Sequence, residues 1–199
     1  MGNKKFHKEF EKKIANILRI NGFTGSGNTY YLFKNDSCGV IMIQNAKTET
    51  LGCFKFTLNF GVSLNVIRQF YESARKEPEF DECQWKIRIG QFMEERNDVW
   101  WIIENESDVF DIIADFEVRL KLLLPQFLIK ISEGVLKEEW LKGKATGITE
   151  FERLQYLTIL LKKDKSPDLE KAVNELVVYS KGKSFEYSAS VHLNELKEV

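Results

Sequence analysis

The chain has 199 residues, of which 43% are hydrophobic and 30% are charged, and its formal net charge at pH 7 is −1. This composition is typical of a globular protein with one core, and it argues against a disordered chain. A net charge so close to zero gives no global reason for binding nucleic acid, so nucleic acid is not the expected partner.

The N-terminus and the cysteines indicate a cellular compartment. The charged N-terminus lacks the apolar segment of a secretion signal, and no apolar run is long enough to cross a membrane. Cys38, Cys53 and Cys83 are widely spaced, without a CxxC pair, so neither a disulfide framework nor a zinc site is expected. We therefore expect a cytoplasmic protein with reduced thiols and no membrane contact.

The first predicted element is an amphipathic helix over residues 4–20. Its apolar residues recur at a spacing that places them on one side of a helix, and Asn21-Gly22 then favours a left-handed end. The opposite face carries lysines that Glu9 and Glu11 partly neutralise. A solvated face is favoured there, with nucleic-acid binding through this helix as a lesser alternative.

Shorter segments after residue 28 have the two-residue period of strands. Residues 54–62 alternate between apolar and polar side chains throughout, and residues 84–89 do the same over a shorter span. Residues 40–43 are apolar at every position, as in a central strand covered on both faces. The five predicted strands are 30–34, 40–43, 54–62, 85–89 and 100–104.

Two helices are predicted among and after these strands. One is expected over residues 64–75, ending before Pro78. The other begins near residue 107 and extends into the 120s, where Pro125 should end or kink it.

The last third of the chain also predicts helices. Thr149 and Glu152 have the spacing of a capping box, and Ser166-Pro167 predicts the start of a further helix. The residues from about 182 onward are expected to form a short strand or a loose tail.

Together these elements predict an α+β fold. We expect a largely antiparallel sheet of about five strands with helices packed on one face and a C-terminal helical pair. The domain organisation predicted is an α+β domain at residues 1–142 and a C-terminal helical extension at 148–199. The intervening residues 142–147 are the best candidate for a linker, and the extension is expected to pack on the same domain.

An ordered series of segments also resembles a known family. The segments are Gly22-Phe23, residues 27–30, 40–44, 54–62, 83–90 and 99–101. In this order and spacing, over about residues 5–125, they resemble the bacterial family named domain of unknown function 4304 (DUF4304). The resemblance implies an α+β fold, and it implies no activity, cofactor or functional residue.

The polar side of the alternating strands is the most informative candidate site. Trp100 and Trp101 are adjacent, so their side chains must point to opposite faces of the fifth strand. An aromatic ring beside a basic side chain is typical of interfaces. The alternatives are a face exposed to water and a face covered by a further helix. The candidate binding surface comprises Lys55, Asn59, Lys86, Arg88, Trp100 and Trp101.

An acidic stretch over residues 94–117 is a second candidate surface. Asp108, Asp111 and Asp115 share one face of the predicted helix, and we treat them as a candidate acidic face for a partner. Carboxylates in a first helical turn also stabilise the helix dipole, so a solvated face is the favoured interpretation.

Other patterns predict no chemistry. The glycines of residues 22–28 lead into a strand and lack the ending of a phosphate-binding loop, so they predict a connecting turn. His7 and His192 lie in polar contexts near opposite ends of the chain, and surface positions are expected for both. We predict no catalytic residue, no cofactor-binding residue, no metal site and no cofactor.

The leading functional hypothesis is a non-enzymatic bacterial binding protein, an immunity-type or adaptor module that acts through protein–protein contact. It rests on the lack of a catalytic motif and on the separation of basic and acidic segments along the chain. The alternative is a binder of a small anionic ligand, or an enzyme, that uses the polar face of the sheet. The partner's identity and the oligomeric state stay open.

Overall fold

A computed structural model describes residues 3–46, 53–73, 75–93, 98–105 and 107–198, with side chains from residue 8 onward. The strands are β1 (Thr24–Ser26), β2 (Thr29–Phe33), β3 (Ser37–Ala46), β4 (Phe54–Leu64), β5 (Trp85–Arg88) and β6 (Trp101–Ile103). The helices are α1 (Asn3–Ile20), α2 (Asn65–Phe70), α3 (Ile89–Phe92), α4 (Asp108–Lys130), α5 (Glu133–Leu141), α6 (Glu150–Lys163), α7 (Leu169–Ser180) and α8 (Glu186–Glu198).

All described strand pairs are antiparallel, which confirms the predicted α+β class. The strands follow the order β1-β2-β3-β4-β5, and β6 also pairs with β4. Along one edge of β4, residues 59–62 pair with β5 and residues 54–56 pair with β6. The long strand β4 therefore aligns two short strands that come from different parts of the chain.

The alternating pattern of β4 defines two faces of this sheet. Phe56, Leu58, Phe60 and Val62 are fully buried on the helical face. The ring centre of Phe10 in α1 lies 4.6 Å from that of Phe56. The ring centre of Phe127 in α4 lies 5.0 Å from that of Phe60. The predicted apolar layer is confirmed, and α1 and α4 cover it.

The C-terminal helices dock on the rest of the molecule. Helix α6 contacts α2, α5, α7 and α8. Its first turn has the predicted capping box between Thr149 and Glu152. Arg153, which is buried, donates hydrogen bonds to the Glu150 carboxylate and to the carbonyl oxygen of Trp140, and this joins α6 to α5.

Two predicted helix ends were wrong. Helix α2 ends at Phe70, because Glu72 takes a left-handed conformation and the following loop is held by the Arg68 guanidinium. Helix α4 continues through Pro125 to Lys130, so of the predicted end or kink at this proline, the end is wrong. Burial of Leu123, Leu124 and Phe127 offsets the hydrogen bond lost at the proline.

Two further predictions concern the C-terminal region. The predicted helix start at Ser166-Pro167 is wrong, because helix α7 begins later, at Leu169. Ser166 instead accepts a hydrogen bond from the Asp168 amide and caps the turn before the helix. The expected strand or loose tail after residue 182 is wrong as well. The chain forms α8 there and buries Ala189, His192 and Leu196.

The predicted linker at residues 142–147 is a loop, but it is fixed to the sheet. Gly147 has φ +75°, and a Cβ atom at this position would overlap the backbone of Lys86 in β5. Only glycine allows so close an approach at this backbone angle. The extension is therefore joined to the sheet at this loop as well as through its helices.

Candidate binding surface on the outer face of the sheet

The face of the sheet opposite α1 and α4 carries most of the predicted site. The register pairs Asn59 with Arg88 and Gly61 with Lys86, so these residues share one face. Lys55 lies on the same face as Asn59, because every second side chain of β4 points to the same side. The structure therefore brings Lys55, Asn59, Lys86 and Arg88 together on this outer face.

Trp100 contacts two of these cationic side chains. The Lys55 ammonium is 5.0 Å from the centre of its ring system, and the Arg88 guanidinium carbon is 5.3 Å from it. Both distances lie within the range of cation–π attraction. We refer to Lys55, Lys86, Arg88 and Trp100 as the basic–aromatic patch.

Asp98 holds this arrangement in place. Its carboxylate accepts a hydrogen bond of 2.8 Å from the Trp100 indole nitrogen and bonds of 3.0 and 3.2 Å from one Arg88 nitrogen. The indole bond, and then the Arg88 bond, lower the pKa of Asp98 below its ordinary value. The carboxylate is therefore ionised at neutral pH and orients both the indole and the guanidinium.

A partly buried polar network on the same face supports the patch. The Gln44 side-chain oxygen accepts hydrogen bonds from Asn59 at 2.9 Å and from Arg88 at 3.4 Å. Thr57 donates a bond of 2.7 Å to the Val99 carbonyl oxygen, which anchors the segment before β6 across β4.

This anchoring corrects one feature of the predicted face. The alternation of side chains predicts that the polar residues are exposed to water along the whole face. This prediction is wrong, because Thr57 is fully buried and Asn59 is only 6% exposed. The covering includes the segment before β6 and the chain around Phe80. Asn59 is thus a supporting residue of the surface and offers little area to a partner.

A cleft of about 560 Å³ adjoins the patch. The Lys86 ammonium at its wall donates to the Asp81 carbonyl oxygen at 3.2 Å. The lining side chains include Asn59, Phe80, Lys86, Arg88, Gln91 and Asp98. Its volume lies within the range of small-molecule sites.

The local charge of this surface is positive. Arg88 is paired with Asp98, whereas Lys55 and Lys86 form no ion pair with any described residue. Two ammonium groups without an ion pair among the described residues, one of them beside the Trp100 ring, favour an anionic contact from outside the chain.

Trp101, the other half of the adjacent pair, is not part of this surface. It is 5% exposed and packs between Phe56 at 5.2 Å and Phe116 at 5.9 Å on the helical face. The predicted opposition of Trp100 and Trp101 is confirmed, and the structure places only Trp100 on the outer face.

Two of the three carboxylates of the candidate acidic face form hydrogen bonds within the molecule. Asp108 accepts hydrogen bonds of 2.9 Å from the backbone amides of Glu104 and Asn105, and these bonds lower its pKa. Asp115 accepts bonds of 2.7 Å from the Trp101 indole nitrogen and from Arg119. Asp111 is exposed. Two members of the three are therefore engaged within the molecule, and Glu94 and Glu95 lie outside the described residues.

The other predictions have different outcomes. The glycine segment forms the β1–β2 hairpin, so the predicted turn is confirmed. A surface position for His192 was wrong: the side chain is 2% exposed, because α8 folds against α6. The side chain of His7 lies outside the described part of the chain. Within that part, no group of three or more His, Cys, Asp or Glu side chains is placed to hold a metal ion.

Comparison with known proteins identifies the family. The fold and the patch define an α+β protein with a basic outer sheet face. Residues 14–127, more than half of the chain, match the family model described as domain of unknown function (DUF4304), and the chain belongs to this family. No curated protein and no solved structure matches the chain. In the described residues, no helix has the length and apolarity that crossing a membrane requires.

The match ends close to the end of α4. It therefore covers the whole sheet and the patch, and α5 to α8 lie beyond it.

Proposed function

We propose that this protein is a non-enzymatic binding protein of the bacterial cytoplasm, an immunity-type or adaptor module that contacts a partner protein through the basic–aromatic patch. The observation that carries the proposal is the position of Trp100. Its indole is oriented by Asp98 and flanked by two cations on an outer sheet face. Tryptophan and arginine are the residue types most enriched among those that dominate binding energy at protein interfaces.

The charge of the patch specifies the chemistry of the partner. Lys55 and Lys86 are not neutralised by described residues, so a partner with surface carboxylates would gain both association rate and orientation. The candidate acidic face supports a contact less well. Asp108 and Asp115 would have to give up hydrogen bonds inside the molecule to meet a basic partner.

The cysteines support a reducing compartment. Cys38 and Cys83 form no disulfide bond, and both are buried in one small cluster on the outer side of the sheet. Burial raises the pKa of the Cys38 thiol to about 12 and also raises that of Cys83. Thiols that stay protonated react slowly, as expected of structural cysteines in the cytoplasm.

Affinity capture with matched charge variants tests the proposal. The full chain, immobilised, is exposed to lysate of the source cells beside Lys86→Glu and the control Lys144→Glu, an exposed lysine of the loop before α6. We expect one acidic protein to bind the wild type and the control, with at least about tenfold weaker capture by Lys86→Glu. Recovery of no protein, or of the same protein in equal amount by Lys86→Glu, would refute the proposed contact.

A second candidate function is binding of a small anion, and the cleft beside the patch favours it. Lys86 and Arg88 line this cleft together with two side-chain amides, which is a suitable set for a carboxylate or phosphate group. Thermal unfolding in the presence of citrate and inorganic phosphate tests this function. Stabilisation that is lost in Lys86→Ala supports the anion site, and an unchanged unfolding temperature excludes these two anions as ligands.

A further inference from the structure

A second cleft lies where the family domain meets the C-terminal helices. It has a volume of about 790 Å³ and is formed by α2, α6, the start of α7 and the end of α8. Its apolar lining comprises Val66, Phe70, Ile159, Leu169 and Leu196. It is separate from the basic–aromatic patch, and the inference drawn from it does not rest on the proposed function.

Three lysines line the cleft together with these apolar side chains. Lys162, Lys163 and Lys165 all line the cleft. Lys163 is paired with Glu133, whereas Lys162 and Lys165 form no ion pair with a described residue. Glu72 is the carboxylate that lines the cleft, so its charge is net positive.

The backbone beside the cleft is unusual at two positions. Lys165 has φ +51° and Glu72 has φ +52°, and these are the non-glycine residues with positive φ in the described chain. Each is the first residue past the capping position of a helix, where the following amide bonds back to the last turn. Glycine is the preferred residue at this position because a side chain is strained there.

Backbone strain of this kind concentrates at functional sites. Both left-handed residues line the same cleft, and one of them is a lysine. Of these two residues, Lys165 adds a positive charge to the lining and Glu72 a negative one, and Lys162 and Lys163 make the balance positive.

We propose that this cleft binds a single-chain amphiphilic carboxylate of the fatty-acid class. The hydrocarbon chain packs among the five apolar side chains, and the carboxylate lies at Lys162 and Lys165. Burial of the chain supplies most of the affinity, and the two ammonium groups select the anion. The volume lies within the range of clefts that take ligands of this size.

Charge complementarity decides between amphiphiles with the same chain. A cationic head group would meet the repulsion of Lys162 and Lys165, with only Glu72 to attract it. An anionic head group is attracted by Lys162 and Lys165 and repelled only by Glu72. We therefore expect the site to prefer dodecanoate over dodecyltrimethylammonium by at least about tenfold.

Calorimetric titration of the full chain tests the proposal, with dodecanoate and dodecyltrimethylammonium kept below their micelle concentrations. Lys162→Ala combined with Lys165→Gly removes both ammonium groups and also relieves the strain at residue 165, so this variant should fold at least as well as the wild type. Lys144→Ala removes one exposed lysine elsewhere, and Glu72→Gly relieves the same kind of strain without removing a cation.

The expected result is saturable binding of dodecanoate that is about tenfold weaker in the double variant. Lys144→Ala should leave the affinity unchanged, and Glu72→Gly should keep or increase it. No saturable binding of dodecanoate, equal affinity for the two amphiphiles, or wild-type affinity in the double variant would each overturn the proposal.

Discussion

The burial of His192 predicts that stability falls in mild acid. Its imidazole Nε2 lies 2.9 Å from the Thr158 hydroxyl oxygen, between α8 and α6. Thr158 donates its own hydrogen to the Gln155 carbonyl oxygen, so it accepts the hydrogen of a neutral imidazole. Burial lowers the pKa of His192 from 6.5 to about 4.

The size of the effect follows from this difference in pKa. Below pH 6.5 the unfolded chain binds a proton at His192, whereas the folded chain resists it until about pH 4. The contribution of the neutral imidazole to the free energy of unfolding is therefore complete above pH 6.5 and declines toward pH 4. At about 1.4 kcal/mol for each pKa unit, the decline reaches at most about 3 kcal/mol.

Urea unfolding of the wild type and of His192→Gln at about pH 7.5 and about pH 4.5 measures this decline. The glutamine variant should be less stable at neutral pH, because it disturbs the packing of α8. Its disadvantage should shrink by about 2 to 3 kcal/mol at the lower pH, because it has no imidazole to protonate. A difference between the two proteins that stays constant with pH would show that protonation of His192 does not lower the stability.

Three further predictions concern single residues. Gly147→Ala should lower the free energy of unfolding by at least about 2 kcal/mol in urea titrations, because a Cβ atom would overlap the backbone of Lys86 at a positive φ; no loss would contradict the described loop. Asp115→Ala should lower the free energy of unfolding by about 1 to 3 kcal/mol, because it leaves the buried Trp101 indole nitrogen without an acceptor. It should not change partner capture. A specific loss of capture would show that this carboxylate contacts the partner. Lys165→Gly should raise the melting temperature, corresponding to roughly 0.5 to 1 kcal/mol, and a lower melting temperature would contradict the left-handed conformation.

The elements predicted correctly are those whose signals are local. The alternation over residues 54–62 shows which side chains of β4 share a face, because the period of a strand leaves no other choice. The capping box of Thr149 and Glu152 is equally local. Both features are independent of what the rest of the chain does.

The wrong predictions depend on tertiary contacts. Helix α8 has a weak apolar stripe that includes His192, so its helical state becomes apparent only when α6 is there to bury it. Helix α5 is short and contains Gly134, and it was not predicted as a separate element. Pro125 was given too much weight, because its local cost is smaller than the burial around it.

The candidate site was predictable only in part. Adjacent positions required Trp100 and Trp101 to face opposite ways, but only the contact of Trp101 with Phe56 decides which of them is buried. The role of Asp98 was missed, although its spacing of two residues from Trp100 would place both side chains on one side of an extended chain. The cleft beside the basic–aromatic patch could not be predicted, because one of its lining residues, Gly147, comes from a distant part of the sequence.

Site-specific photo-crosslinking in the source cells tests the central claim most directly. Ile102 is 46% exposed and lies opposite Lys55 at the edge of the patch, so benzoylphenylalanine at this position would face any partner bound there. The same group at Val178, which is 75% exposed on α7, is the control. We expect one crosslinked protein at position 102 and none at position 178. No adduct at position 102, or the same adduct at both positions, would contradict the proposed contact.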